Sequence, residues 1–358
     1  MTDSQSAPGP ASPHYSFYFT VILVLLSVAA AAAYYAYVLR RYAPAPIDEL
    51  QTLHAFISRI PQSQNLAESY LDADGDLVAD TPADPTKLQN VDEIGFSMIA
   101  GDDPERTRAE WMDFLVALEK ATGTKVVLRT DVGGLQGQLA ALRKGTLHVT
   151  AFSTGEVPLA VNSAGFVPLW SPADVDGTYA YEMEILVPAA SNIKTPADLR
   201  GRSIAFTSLS SNSGARAPLV ILKEKFGLLP ARDYAYTLTG THERSLKDLA
   251  EGRHDAVCVA NDLVARAVLA GDLKPEQFRS IYKSASFPPL CLGVAHDLPP
   301  DLVAKMKQMV QGFRFEGTSL EKRFLPQGKV KLAVVNYQRD WAYVRDIDQA
   351  LTRLLDGK

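Results

Sequence analysis

Ser203-Ile204-Ala205-Phe206-Thr207-Ser208-Leu209-Ser210-Ser211-Asn212-Ser213-Gly214 is the stretch that decides how this chain folds. An apolar run followed by a cluster of hydroxyl and amide side chains predicts a buried strand that ends in a turn. The next residues, 215–226, place apolar side chains on one side of a helix. The first N–H groups of that helix have no acceptor inside it and lie at the positive end of its dipole, so the turn is suited to an oxyanion. The alternative is that Ser210 or Ser213 simply caps the helix.

The composition is that of a globular protein. The chain has 358 residues, 47% of them hydrophobic and 22% charged, which is enough for two folded units. The net charge is −5, and no block of Lys or Arg follows the apolar N-terminal segment, so a nucleic-acid groove is disfavoured. The two cysteines, Cys258 and Cys291, lie in apolar runs outside any Cys/His cluster, which argues against structural zinc. We expect buried free thiols; the alternative is a disulfide between neighbouring strands.

The N-terminal part contains a long apolar segment. From Tyr15 to Leu39 there are 25 residues without a charge, and a helix of this length, at about 1.5 Å per residue, crosses a bilayer. Aromatic residues crowd both ends, as in an interfacial belt. We interpret residues 15–39 as a transmembrane anchor after a short tail, residues 1–14. A cleaved signal peptide fits less well, because the tail has no Lys or Arg and the apolar run is long. A buried core helix is the remaining alternative.

Residues 40–92 are predicted to be a linker with a short helix, residues 47–60, and an Asp-rich loop. The loop Asp72-Ala73-Asp74-Gly75-Asp76-Leu77-Val78-Ala79-Asp80 has carboxylates at positions 1, 3, 5 and 9, the spacing with which a tight loop wraps Ca²⁺. Leu77 replaces the usual glycine and Ala83 the usual bidentate Glu, so we expect calcium binding only at millimolar concentration. The alternative is a solvated acidic linker. The predicted calcium ligands, the one cofactor considered, are Asp72, Asp74, Asp76 and Asp80.

The body of the chain begins near Val91 and alternates predicted strands with predicted helices. This alternation is typical of parallel sheets covered by helices, and its repetition predicts two lobes with a cleft between them. The predicted strands are 94–99, 125–128, 147–152, 185–187, 203–206, 234–238 and 255–259, and the predicted helices are 105–122, 135–142, 215–226 and 245–251.

The order of several short segments resembles that of the phosphonate-type substrate-binding proteins of ABC transporters. The resemblance covers roughly residues 93–345. Its clearest segment is Ser211-Asn212-Ser213-Gly214, which is similar to the S-T-S-G anion loop of that family. The other segments that carry it are Ile94-Gly95-Phe96, residues 102–105, residues 118–123, residues 139–145, residues 148–155 and residues 193–202.

The resemblance implies a type II periplasmic-binding-protein fold, in which two αβ lobes joined by crossover strands close on a ligand like a hinge. On this basis we expect a first lobe from residues 93–180 and a second from residues 181–283. Residues 284–358 are then expected to return to the first lobe and to end in C-terminal helices.

The resemblance also implies which residues bind the ligand. Tyr181 would contact it, and Asp262 would face the amine of an aminoalkyl phosphonate. The alternatives are an ordinary strand aromatic for Tyr181, an exposed loop histidine for His242 and a helix N-terminal acid for Asp262. The residues expected to bind the ligand are Ser153, Thr154, Tyr181, Ser210, Ser211, Asn212, Ser213, His242 and Asp262.

Three departures from the family pattern bear on the ligand. Val132 replaces a tyrosine that would line the cleft, and Leu290 stands where a second acidic contact is expected, which weakens the case for an aminoalkyl cation. Glu156 follows the glycine turn and would repel a nearby anion. Phosphonate, phosphite, phosphate and other tetrahedral oxyanions all remain candidates.

The function expected from the resemblance is capture of such an oxyanion for an ABC importer with a permease partner. A membrane-tethered sensor that signals to a partner protein is the alternative. An enzyme is not expected, since no HExxH, GxSxG or Walker pattern occurs, although Ser211, His242 and Asp262 include the residue types of a triad that only geometry can exclude. Arg40 and Arg41 alone would favour a cytoplasmic body. The resemblance instead favours the extracytoplasmic, periplasmic side for residues 42–358.

Overall fold

The structure is a computed structural model that describes residues 13–42, 58–60, 65–99 and 103–355. Its contacts divide the chain into two compact units, Met1–Asp48 and Glu49–Lys358. Most of the helix predicted at residues 47–60 and most of the N-terminal tail lie outside the described residues.

The first unit contains helix α1, Pro13–Tyr42. The side chains of residues 17–37 are exposed, and the segment Phe17–Tyr37 is long and apolar enough to cross a membrane. The same length and composition also occur in signal sequences. The prediction of an apolar helix is therefore confirmed, and its role as an anchor stays a prediction.

Eleven strands in the described part of the second unit form two sheets. The first has the order β11-β4-β10-β3-β1-β2 and the second the order β7-β6-β8-β5-β9. The strands are β1 Glu93–Ser97, β2 Lys125–Leu128, β3 Val149–Phe152, β4 Phe166–Ala173, β5 Tyr181–Pro188, β6 Ser203–Phe206, β7 Ala235–Leu238, β8 Ala256–Ala260, β9 Phe278–Phe287, β10 Cys291–Ala295 and β11 Lys331–Val334.

Helices follow most of these strands. Within the described ranges a single π-helical turn, Asn212–Arg216, joins β6 to its helix. The remaining helices are α2 Pro104–Thr122, α3 Gly134–Arg143, α4 Val157–Ala164, α5 Ala217–Phe226, α6 His242–Ala250, α7 Asn261–Ala270, α8 Pro300–Gly312, α9 Glu321–Phe324, α10 Tyr337–Asp340 and α11 Ala342–Leu355.

The strands predicted from apolar runs are parallel where a helix connects them. β1 is parallel to β2 and β3, and β6 is parallel to β7 and β8. The chain then runs from the first sheet to the second between β4 and β5, and returns between β9 and β10. These crossover strands pair antiparallel with their neighbours, so each sheet is mixed rather than wholly parallel as predicted.

Local signals set the helix ends. The Asp103 side chain caps α2 by accepting from the Arg106 N–H, and Gly123, at φ 72°, ends it. The prediction for α2 is confirmed. Helix α6 begins at His242 rather than Ser245, because the Thr241 side chain accepts from the Arg244 N–H.

The cysteines are buried and free, as expected. Cys258 lies on β8 of the second sheet and Cys291 begins β10 of the first. The burial of each thiol raises its pKa well above the usual range, so both are unreactive.

Candidate functional site

A cleft of about 1280 Å³ collects side chains from both sheets. Parallel strands gather the residues that follow them at one edge of a sheet, and the turns after β3, β6 and β8 all reach this cleft. All nine residues expected to bind a ligand line it: Ser153, Thr154, Tyr181, Ser210, Ser211, Asn212, Ser213, His242 and Asp262.

The turn after β6 is built by backbone and hydroxyl groups close in sequence. Ser211 Oγ accepts from the Gly214 N–H at 3.1 Å and caps the π-helical turn, so the cap is Ser211 rather than Ser210 or Ser213. The Thr207 N–H donates to the Gly214 carbonyl at 3.0 Å. A Cβ at position 214 would lie 1.7 Å from Thr207 Oγ1, so only glycine fits there.

The Tyr181 hydroxyl joins the two sides of the cleft. It accepts from Asn212 Nδ2 at 3.1 Å, and the side chains of Thr154 and Ser213 lie close enough to influence its pKa. Burial raises the pKa of Tyr181, so its hydroxyl keeps its proton. Tyr181 is therefore a hydrogen-bonding member of the cluster and not only a packed strand aromatic.

His242 is a partly buried residue of the first turn of α6, not an exposed loop residue. Its Nε2 lies 3.3 Å from Ser211 Oγ, and among the described residues its buried Nδ1 has no hydrogen-bond partner. Burial lowers the pKa of His242 to about 4, so the ring is neutral at pH 7. It can offer an anion one N–H donor but no formal charge.

Asp262 lies in the first turn of α7, and its carboxylate accepts from the Leu263 N–H at 2.9 Å. Burial raises the pKa of Asp262. In the part of the chain that the structure describes, no hydrogen bond joins Asp262 to His242. Ser211, His242 and Asp262 therefore lack the geometry of a nucleophilic triad, in which the acid orients the base.

The turn after β3 packs directly against the turn after β6. The Thr154 hydroxyl donates to the Pro288 carbonyl at 2.7 Å, and the Thr154 carbonyl accepts from Trp341 Nε1 at 3.1 Å. A Cβ on Gly155 would lie 2.6 Å from the Ser210 carbonyl oxygen. Glycine at 155 thus permits the close approach that brings Ser153 and Ser210 together.

Sequence reasoning missed two charged residues beside the site. Arg216 and Asp348 form an ion pair and are 1% and 4% exposed. Arg216 belongs to the π-helical turn and Asp348 to α11, far apart in the chain. No local pattern marks such a pair. Thr207, also missed, follows β6 and precedes the serine cluster, so its position could have indicated it.

The Asp-rich loop forms a separate acidic cluster. Carboxylate oxygens of Asp72, Asp74 and Asp76 lie within 4.8 Å of one another. Asp72 accepts from the Gly75, Asp76 and Leu77 N–H groups. Leu77 takes a left-handed conformation, φ 68°, at the position where such loops usually have glycine. Desolvation and the neighbouring carboxylates raise the pKa of Asp76.

Comparisons with known proteins agree with this architecture. Residues 96–335 match the family described as "ABC transporter, phosphonate, periplasmic substrate-binding protein". The phosphate-import protein PhnD of Mycolicibacterium smegmatis is 27% identical over 259 residues, which cover 67% of this chain and 79% of that protein.

Solved structures share the fold. The binding protein component of an ABC phosphonate transporter from Pseudomonas aeruginosa superposes with a TM-score of 0.62 at 18% identity, over 73% of this chain and 87% of that one. PhnD1 of Prochlorococcus marinus, in complex with methylphosphonate, gives a TM-score of 0.61 at 14% identity, over 74% of this chain and all (100%) of that one. The predicted type II periplasmic-binding-protein fold is confirmed. The family is a transporter component and not an enzyme. This chain belongs to the periplasmic substrate-binding proteins of phosphonate ABC transporters.

Proposed function

We propose that this protein captures a tetrahedral phosphorus oxyanion (phosphonate, phosphite or phosphate) in the cleft and delivers it to an ABC permease. One observation carries the proposal. Three buried polar atoms around the β6 turn, Thr207 Oγ1, Asn212 Oδ1 and His242 Nδ1, have no hydrogen-bond partner among the described residues. Unpaired buried polar groups cost free energy, so their convergence favours a ligand that pairs with them.

The three atoms suit an oxyanion. The Thr207 hydroxyl and one tautomer of His242 each supply a donor. Rotation of the Asn212 amide by about 180° would let Oδ1 accept from the Tyr181 hydroxyl and present Nδ2 as a further donor. The Ser213 hydroxyl is the adjacent donor that we assign to the ligand. Ser211 donates either to the ligand, with the imidazole proton on Nε2, or to His242 Nε2, with the imidazole proton on Nδ1.

Binding would depend on oriented neutral dipoles. His242 is neutral. Of the cations that line the cleft, Arg266, Lys329 and Arg323 are paired with Glu243, Asp174 and Glu110, and Arg106 and Lys322 are exposed. Preorganised N–H and O–H groups stabilise an anion strongly once water is excluded.

Closure of the two lobes would exclude that water. We propose that the lobes are residues 93–180 with 284–358, and residues 181–283. Thr154 and Gly155 of the first would then meet Ser210 to Ser213 of the second around the ligand.

The comparisons favour import over sensing. The matched family is described as a periplasmic substrate-binding protein of an ABC transporter, and the relative from Mycolicibacterium smegmatis as a phosphate-import protein. An ABC component works with a permease and an ATPase, so we propose those partners and no nucleic acid. Only Asp262 could pair with the amine of an aminoalkyl phosphonate, because Leu290 occupies the cleft position where a second acidic residue is expected.

Thermal unfolding of the full chain in detergent tests the proposal. We expect one or more of phosphate, phosphite, methylphosphonate and 2-aminoethylphosphonate to raise the midpoint, since a ligand at 100 times its Kd adds about 2.7 kcal/mol to the free energy of unfolding. The full chain is needed, because Ile60 and Val78 belong to the core of the body.

Ser213→Ala should weaken binding about 10- to 100-fold, the effect of losing one hydrogen bond to a charged group. Ser286→Ala is the matched control, because Ser286 is exposed and outside the cleft. If no phosphorus oxyanion shifts the midpoint of the folded wild-type chain, the proposal is wrong.

We also propose that residues 15–39 anchor the protein in the cytoplasmic membrane, with residues 42–358 on the extracytoplasmic side. The length and apolar character of α1 and the periplasmic family support this. Protease added outside intact spheroplasts should digest the body. Protection of the body until the cells are lysed would contradict the proposed orientation.

We also propose that the Asp-rich loop is a weak calcium site formed by Asp72, Asp74, Asp76 and Asp80. Millimolar Ca²⁺ should raise the unfolding midpoint of the full chain, because it neutralises the crowded carboxylates. Asp74→Asn should abolish the rise, whereas Asp92→Asn, outside the loop, should retain it. An equal effect of Mg²⁺, or no effect of Ca²⁺, would support the solvated-linker alternative.

A further inference from the structure

A buried carboxyl group lies beside the proposed oxyanion site and has no role in the function described so far. Glu156, the residue before α4, is 5% exposed and lines the cleft. Its Oε2 accepts from the Ser153 N–H at 3.1 Å, and the hydroxyls of Ser153 and Ser210 lie close enough to lower the pKa of its carboxyl. Glu156 therefore touches two of the residues assigned to the ligand.

The charges around Glu156 do not balance. Arg216 is the cation that acts on it, and Arg216 is already paired with Asp348 of α11. Asp262 adds another carboxyl to the cleft, and His242 is neutral. Asp262 faces Arg266 and Lys329. If Glu156 and Asp348 were both ionised, they would share one guanidinium before any anion entered. Burial raises the pKa of Glu156, although Arg216 and the hydrogen bonds of Glu156 itself act in the opposite direction.

The directions in which the hydrogen bonds are donated also favour a proton between Glu156 and the ligand. If the Ser210 hydroxyl turns toward an ionised Glu156, Ser210 Oγ can only accept from a ligand or from Ser208 Oγ, 3.3 Å away. A fully deprotonated oxyanion offers only acceptors. An O–H group on the ligand, or a proton on Glu156, removes the conflict between the two negative groups.

We propose that Glu156 is a specificity-determining residue whose carboxyl shares one proton with the bound oxyanion, so the site admits oxyanions with a titratable O–H and excludes sulfate. The proton is held on the ligand: hydrogen phosphate brings it at pH 8, whereas a methylphosphonate dianion takes one up from water as it binds. The inference rests on the proposed function. The second ionisation of a phosphate monoester lies near pH 6, whereas sulfate carries no proton at neutral pH, so the two ligands differ at this group.

Isothermal titration of the full chain in detergent tests the inference, with phosphate, methylphosphonate and sulfate as probes. At pH 8, in two buffers of different ionisation enthalpy, the wild type should take up close to one proton per methylphosphonate bound. The Kd for methylphosphonate should accordingly rise by up to about 10-fold per pH unit above its second ionisation. Sulfate at the same concentration should compete at least 10-fold less well than phosphate.

Glu156→Gln keeps the shape and a hydrogen-bond acceptor but cannot hold the proton. It should bind methylphosphonate with little proton uptake and should gain at least 10-fold in its sulfate-to-phosphate affinity ratio. Glu105→Gln, an exposed residue of α2 outside the cleft, should behave like the wild type.

The outcomes are distinguishable. Methylphosphonate binding to the wild type at pH 8 without proton uptake, or equal binding of sulfate, would overturn this inference alone, whether or not the variant folds. Unchanged proton uptake and selectivity in Glu156→Gln would assign the carboxyl a structural role only. If the folded wild type binds none of the phosphorus oxyanions, the proposed function fails as well.

Discussion

Replacing Asp348 by alanine is expected to lower the free energy of unfolding by about 3–5 kcal/mol. Asp348 on α11 and Arg216 in the π-helical turn are both buried and form an ion pair. Removing the carboxylate leaves a guanidinium without its charge partner in a low-dielectric interior, and this is among the largest effects that a single substitution produces. Denaturant-induced unfolding of the full chain in detergent measures it.

Two controls separate the ion pair from other consequences of the substitution. Asp346→Ala removes an exposed carboxylate from the same helix and should change the free energy of unfolding by no more than about 0.5 kcal/mol. Arg216→Met combined with Asp348→Leu removes both charges and should recover most of the loss. A loss below about 1 kcal/mol in Asp348→Ala would show that the pair is not important for stability.

The second large effect is expected from Gly214→Ala. The added Cβ would lie 1.7 Å from Thr207 Oγ1 and 2.7 Å from Thr207 Cβ, so the turn or the end of β6 must move. Because Ser211, Asn212 and Ser213 belong to this turn, a displacement of about 1 Å should weaken oxyanion binding roughly 100-fold. Titration with the ligand identified by thermal unfolding measures the change in Kd.

Gly312→Ala is the matched control for this substitution. A Cβ at position 312 meets no atom within 4 Å, and Gly312 ends α8 away from the cleft. It should leave the Kd unchanged. An unchanged Kd in Gly214→Ala would contradict the assignment of this turn to the ligand, provided that the variant unfolds cooperatively.

Part of this structure could be predicted from residues that are neighbours in the chain. The apolar run 203–206, the serine cluster and the helix after it appear where the pattern indicates. Helix α2 follows from Asp103, the spacing of Trp111 and Phe114, and Gly123. These signals are local: caps, turns and hydrophobic periodicity act over a few residues, so they are legible without knowing the fold.

The resemblance to the phosphonate-binding family extended the prediction from local elements to the binding site. It named nine residues that the structure brings to one cleft, although composition and periodicity alone could not have selected Tyr181 or Asp262. The resemblance could not give the protonation states or the hydrogen-bonding roles of these residues. The neutral ring of His242 depends on its burial and on the start of α6, which the sequence placed three residues late. The cap made by Ser211 depends on the π-helical turn that follows β6.

By itself, the sequence determined an apolar N-terminal helix, two αβ halves and a strand–turn–helix unit with the chemistry of an anion site. Only the tertiary structure decided that Glu156, Arg216 and Asp348 would meet behind that turn. These residues come from three distant segments, and each is an ordinary charged residue in its own neighbourhood. Their charges interact strongly only because folding removes them from water and brings them together, a condition that local sequence does not encode.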